Sequence, residues 1–191
     1  MLSRCALPFV ALFAAASVVG CGGEGVKSYT AKRDTVATVK ENTGAYRLLG
    51  AMVPADDPIW FFKLSGGTDE LTKHEAGFDE LVKSIRYKGE KSVPEFDTPK
   101  DWVRGPGRGS LVKATVKPPD SKLEVTVVPS AGGVEGNLDR WVGMLGQPSR
   151  PDDTKRYTKT IDAPGGPVRR VDIRGPVNPN KSGGPMAGMM R

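Results

Sequence analysis

The chain is 191 residues long and carries 28 Lys and Arg against 22 Asp and Glu, with two cysteines and one histidine. Its basic residues are interleaved with acids, as in "TDELTKHEAGFDELVKSIRYKGEK", the pattern of a solvated surface and not of the basic face that a nucleic-acid partner needs. There is no internal repeat, and the length without its two ends suits one domain near the usual size of about 100–150 residues.

Arg4 precedes an apolar run, Ala6 to Val19, which ends in Gly20-Cys21. A positive start, a short apolar core and a small-residue cleavage site predict a secretory signal peptide over residues 1–20. The run falls short of the roughly 20 helical residues that a bilayer core of about 30 Å requires. Val18-Val19-Gly20-Cys21 resembles the lipobox of bacterial lipoproteins. The resemblance implies cleavage between Gly20 and Cys21, a diacylglycerol thioether on the Cys21 sulfur, and acylation of the new amine (a palmitate-type anchor). Each buried methylene contributes about 0.8 kcal/mol, and two chains already anchor stably. With Cys5 removed in the signal peptide and Cys21 carrying lipid, the mature chain has no thiol for a disulfide, a thiolate-bound metal or a nucleophile. No metal site and no cofactor are expected.

Gly22-Gly23-Glu24-Gly25 reads as a flexible tether, and residues 21–44 together as anchor, tether and extended arm. In a Gram-negative envelope the lipoprotein resemblance also implies the outer membrane, because Gly22 stands where Asp would retain the protein at the inner one. The expected domain covers residues 45–174. It opens on "YRLLGAMV", strand material through Leu48, Leu49 and Met52. "PADDP" is a turn. "IWFFKL" places Ile59 and Phe61 on one side of a strand and Trp60, Phe62 and Leu64 on the other, so it predicts a central strand covered on both faces.

The period then changes. Leu71, Phe78, Leu81, Val82 and Ile85 recur at helical spacing, with Thr68 as expected N-cap and Lys83 and Arg86 near the end. Gly77 weakens the middle by about 1 kcal/mol relative to Ala. His74 lies beside the apolar stripe, where a lone histidine reads as a rim residue. "SVPEFDTPKDWVRGPGRGS" is expected to be an irregular strap pinned by Phe96 and Trp102. Its "GPGRG" leads into a strand and not into a helix, unlike a phosphate-binding turn. "SLVKATVKPPDSKLEVTVVPS" predicts a hairpin, with Leu123, Val125 and Val127 on one face of the return strand. "GNLDRWVGMLGQP" predicts a short amphipathic helix. Asn137 would start it, Gly146 and Pro148 would end it, and Trp141 would lie on the sheet. "RYTKTIDAPGGPVRRVDIRG" gives two more strands anchored by Val168, Val171 and Ile173. Residues 175–191, rich in Pro, Gly and Asn, read as a disordered tail. The sum is an α+β domain: a mainly antiparallel sheet with two helices packed on it.

"WFFKLSGG" and "NLDRWVGMLG" are also similar to segments of a group of uncharacterised bacterial secreted lipoproteins. There an aromatic-aromatic-Lys-Leu strand precedes a helix, and an Asn-x-x-Arg-Trp-x-x-x-Leu-Gly segment follows later. The layout over residues 46–174 resembles the Mog1/PsbP-type α/β/α sandwich. This chain departs from the group's pattern at Asp139, Val142 and Met144. The candidate binding residues that remain are Asn137, Arg140 and Trp141.

The leading expectation is therefore a non-enzymatic, lipid-anchored extracytoplasmic module for binding or envelope assembly. Its partners would be the membrane, through lipid, and an envelope protein, with no nucleic acid. One alternative is an envelope hydrolase using Asp56, Asp57, Glu135 or Asp139, which would need a pocket gathering Arg140, His74 and a carboxylate. Another is a weak binder of anionic wall or lipid polymer, whose affinity would fall with salt.

Overall fold

The computed structural model describes residues 42–56, 60–89, 92–129 and 131–181. The signal segment, Val18 to Cys21, the tether, Asp57, Ile59 and residues 182–191 lie outside the described residues. In chain order the elements are β1 (Tyr46–Val53), β2 (Trp60–Gly67), α1 (Thr68–Lys83), β3 (Val103–Arg108), β4 (Val112–Lys117), β5 (Val125–Pro129), α2 (Val134–Met144), α3 (Asp153–Tyr157), β6 (Thr158–Ala163) and β7 (Gly166–Gly175). The strands make one sheet in the order β3-β4-β5-β2-β1-β7-β6, with every pairing antiparallel. This is the expected α+β class.

Strand β2 shows why the sheet sits in the middle. Trp60, Phe62 and Leu64 enter one buried cluster with Leu71, Phe78, Leu81 and Val82 of α1. Phe61 points the other way, into a second cluster with Leu138, Trp141 and Val142 of α2 and Tyr157 of α3. Alternate residues of a strand face opposite sides, so α1 covers one face and α2 with α3 covers the other. The sequence pattern anticipates two helices; the third is one turn of five residues, Asp153–Tyr157, too short to carry an apolar stripe.

Four boundaries differ from expectation. Thr68 is the first helical residue, not the cap; Gly67 takes the cap position, and the Thr68 hydroxyl donates to the Gly44 carbonyl at 2.7 Å. Arg86 lies beyond α1 and pairs with Asp97 and Glu95 instead of complementing the helix end. Helix α2 begins at Val134, behind Gly133, so Asn137 belongs to its first turn. The strap contains β3, whose "VRGPGR" pairs with β4 from Val103↔Lys117 to Arg108↔Val112. Pro106 is tolerated there because β3 is an edge strand, where a missing N–H faces solvent.

Gly77 does not break α1. A Cβ at residue 77 would stand 2.7 Å from Trp102 Cζ2, so its bare backbone lets the strap's indole lie against the helix. Phe96 pins the same strap through an edge contact with Phe62, centroids 5.2 Å apart. At the far end, residues 176–181 are held to the domain although their composition reads as tail. The Val177 N–H donates to the Leu145 carbonyl at 3.2 Å. The Asn180 amide donates to the Ser65 carbonyl at 2.9 Å and accepts from the Ser65 hydroxyl at 2.8 Å.

Candidate functional site

Asn137, Arg140 and Trp141 are successive members of one face of α2, and each has a different task. The Asn137 side chain is buried. Its Nδ2 donates to the carbonyls of Ala131, Gly132 and Gly133 at 3.1, 3.1 and 2.9 Å, closing the loop that leads into the helix. Its Oδ1 accepts from Arg140 Nη2 at 2.7 Å, which fixes the guanidinium one turn along. Trp141 is 2 % exposed and belongs to the second core. Its ring meets Phe61 edge-on, with centroids 4.9 Å apart. Of the three candidates only Arg140 offers its side chain to solvent.

Arg140 in turn bears on Lys63, which sits two residues after Phe61 on the same face of β2. Burial lowers the Lys63 pKa below the usual ammonium range, and the positive charge of Arg140 lowers it further. The "WFFKL" and "NLDRW" segments are therefore a single packing unit with two cations at its margin. Lys63 also lines a concavity of about 220 Å³ together with Ser65, Arg108, Lys122, Glu124 and Asn180.

The acids considered for hydrolysis separate. Glu135 and Asp139 line one cavity of about 300 Å³ with Asp153 and Arg150. Asp139 Oδ1 accepts from the Ser149 hydroxyl at 2.7 Å. Asp153 is 2 % exposed; its Oδ2 accepts from the Arg150 N–H at 2.9 Å, and its Oδ1 has no partner among the described residues. Asp56 is elsewhere, exposed and paired with Arg169 at 3.2 Å. His74 lies on α1, across the sheet from Arg140, with its ring 6.0 Å from that of Trp102. The structure does not gather Arg140, His74 and a carboxylate into one pocket.

A cluster that sequence patterning misses lies under α1. Arg47 of β1 and Arg170 of β7 are 1 % and 2 % exposed. Arg47 forks onto Asp172 at 2.8 and 2.5 Å and reaches Glu75 at 2.8 Å. Arg170 reaches Asp79 at 3.0 Å, Glu75 at 3.1 Å and Asp172 at 3.4 Å. Glu75 thus bridges both guanidiniums and clamps α1 to the sheet. Burial alone would ease the proton off Arg47, but the hydrogen bonds and charges of Asp172 and Glu75 outweigh it and raise its pKa. The Arg47 hydrogen bond lowers the Glu75 pKa. Burial works against the Asp172 carboxylate, yet Arg47 and Arg170 hold its pKa below the ordinary range. Two buried guanidiniums, Arg47 held bidentately by Asp172 and Arg170 met by three separate carboxylates, read as a structural lock.

No protein-family model matches the chain, and neither a curated protein nor a solved structure matches it.

Proposed function

We propose that the protein is a lipid-anchored extracytoplasmic module, held on a membrane through Cys21 and serving to bind or assemble an envelope partner. One observation carries the reading: Val18-Val19-Gly20-Cys21 stands at the end of a short apolar run that follows Arg4, where a lipobox belongs. The Gly-rich residues 22–25 support it by supplying a spacer between anchor and domain. With Gly22 after the cysteine, the outer membrane is the site this reading favours in a Gram-negative cell. The reading extends to kinship with Mog1/PsbP-type sandwiches, supported by helices on both faces of an antiparallel sheet.

The test is fractionation of the producing cell with the natural chain and with Cys21→Ser. The natural chain should sediment with membranes and incorporate labelled palmitate, and the variant should lose both. A natural chain found in the cytosol would overturn the proposal. An envelope hydrolase is the second reading, favoured by the cavity that Glu135 and Asp139 share with Asp153. Turnover of wall or lipid substrate that Asp139→Asn abolishes would establish it in place of the first.

A further inference from the structure

Helices α2 and α3 cover only part of their side of the sheet. The second core takes residues from β1, β2, β5 and β7 and none from β3 or β4. On β4, Ala114 and Val116 enter the core under α1, so Thr115 and Lys117 face the α2 side. The register sets Gly105 and Val103 of β3 beside them. Two hollows of about 220 and 290 Å³ lie on this open half. Lys63 and Lys122 line the first, Val103 and Lys117 line the second, and Arg108 and Glu124 line both.

The charge of this half is one-sided. Glu124 is the one acid among the lining residues, against Lys63, Arg108, Lys117 and Lys122. That carboxylate is already engaged by Arg108 and lies 3.9 Å from Lys117. Among the described residues no carboxylate comes within ion-pair distance of Lys63 or Lys122. The β3–β4 hairpin repeats the bias: residues 103–117 hold Arg104, Arg108, Lys113 and Lys117 and no Asp or Glu. The same hairpin carries the two most exposed large apolar side chains of the described residues, Leu111 in its turn at 68 % and Val103 at 66 %. Single exposed apolar residues are ordinary. Two of them on a hairpin with four cations and no acid suit a surface of anionic headgroups over an apolar layer.

A protein partner fits this face less well. Interface cores are poor in lysine and rich in aromatic residues, whereas the two hollows have three lysines between them and no aromatic. Addition of a partner strand is blunted too, because Pro106 lies in the free edge.

We infer that the open α2-side face of β3, β4 and β5, with Leu111 at its tip, docks onto an anionic lipid bilayer. Arg108, Lys117 and Lys122 meet headgroup phosphates, their long stems letting the charged heads reach outward, while Leu111 and Val103 enter the interface. The face belongs to the folded domain and stands whether or not Cys21 is lipidated.

The test uses the full chain with Cys21→Ser, which takes no lipid, and measures its partition onto sedimenting phosphatidylcholine vesicles with and without phosphatidylglycerol. The apolar run near the amino terminus meets both vesicle types alike, so the ratio of the two partition coefficients reads the charged face. Further variants are Lys117→Gln with Lys122→Gln, Leu111→Ser, and Lys73→Gln with Lys83→Gln on α1 as a control of equal charge change across the sheet; circular dichroism checks that each is folded. The inference expects a preference for phosphatidylglycerol that salt weakens, that drops about tenfold or more in the Lys117 and Lys122 pair, and that persists in the α1 pair. Leu111→Ser should weaken partition as well, since the bilayer takes up the apolar tip. Equal partition onto both vesicle types, equal loss in the α1 pair, or a Leu111→Ser chain bound as tightly as its parent overturns the inference. So does capture of polyglutamate in place of vesicles, which assigns the face to an acidic polypeptide.

Discussion

The indole of Trp141 fills the place where residue 50 would carry its Cβ: Cζ3 lies 2.3 Å from that point, in the middle of β1. A tryptophan on a helix and a glycine on a strand thus form one interlocked contact, which sets how closely α2 approaches the sheet. Both residues are at the centre of the second core, where nothing can shift cheaply.

Gly50→Ala should therefore destabilise the domain by about 1–3 kcal/mol through overpacking. Trp141→Ala should cost about 3–5 kcal/mol. In the double variant the alanine methyl enters the space the indole leaves, so the two losses should sum to less than their separate values. Urea denaturation of the four proteins measures this. Strict additivity would contradict the interlock.

Gly77 and Trp102 make the converse case on α1. Alanine normally gains about 1 kcal/mol over glycine inside a helix, but here the new methyl would meet Trp102 Cζ2 at 2.7 Å. Gly77→Ala should lower stability and shift Trp102 fluorescence towards the exposed range. In a Trp102→Ala background the same substitution should raise stability instead, by about 0.5–1 kcal/mol. A gain in both backgrounds would show that the strap does not press on the helix.

Asn137 donates to three carbonyls and accepts from one guanidinium. Asn137→Asp keeps the shape and the acceptor but turns an amide donor into an oxygen facing those carbonyls. It should be more damaging than Asn137→Ala, whose cost is about 1–3 kcal/mol. Thermal unfolding of the two variants at neutral pH checks the order, which would reverse if the amide served only to attract Arg140.

The clamp under α1 predicts acid sensitivity. The folded-state pKa values of Glu75 and Asp172 are lowered, chiefly through Arg47. Such carboxylates contribute stability that is fully present above their unfolded pKa of about 4 and lost as pH falls through the lower folded values. Arg47, raised further above its ordinary range, stays charged throughout and adds no slope there. Unfolding free energy should change little between about pH 6 and 8 and fall below about pH 5. Asp172→Asn should cost about 3 kcal/mol at neutral pH and flatten the acid slope, as read from urea titrations at several pH values. An unchanged slope would contradict the clamp.

What the chain discloses before folding is what short-range pattern controls. Trp60, Phe61 and Phe62 put apolar groups on both sides of one strand, and the structure covers both sides of β2. Phe78, Leu81 and Val82 keep helical spacing and pack as α1. By contrast "VRGPGR" has neither alternation nor propensity; its strand state comes from pairing with β4 at an open edge. Helix α2 starts at Val134, not at Asn137, because the asparagine satisfies the preceding loop from inside the first turn. The ionic clamp is hidden for a similar reason. Arg47 and Arg170 look like ordinary polar members of strands, and only the β1–β7 register and the docking of α1 bring them to shared carboxylates. Lys63 and Arg140 stand out as parts of two motifs, but the effect of one charge on the other depends on where α2 lands.

The most direct measurement on the central claim is the intact mass of the amino-terminal peptide of protein extracted from the membranes of its own host. The account predicts a chain beginning at Cys21, heavier by a diacylglyceryl group on sulfur, with or without a further acyl chain on the amine. A peptide beginning at Met1, or one in which Cys21 retains a free thiol, would contradict it.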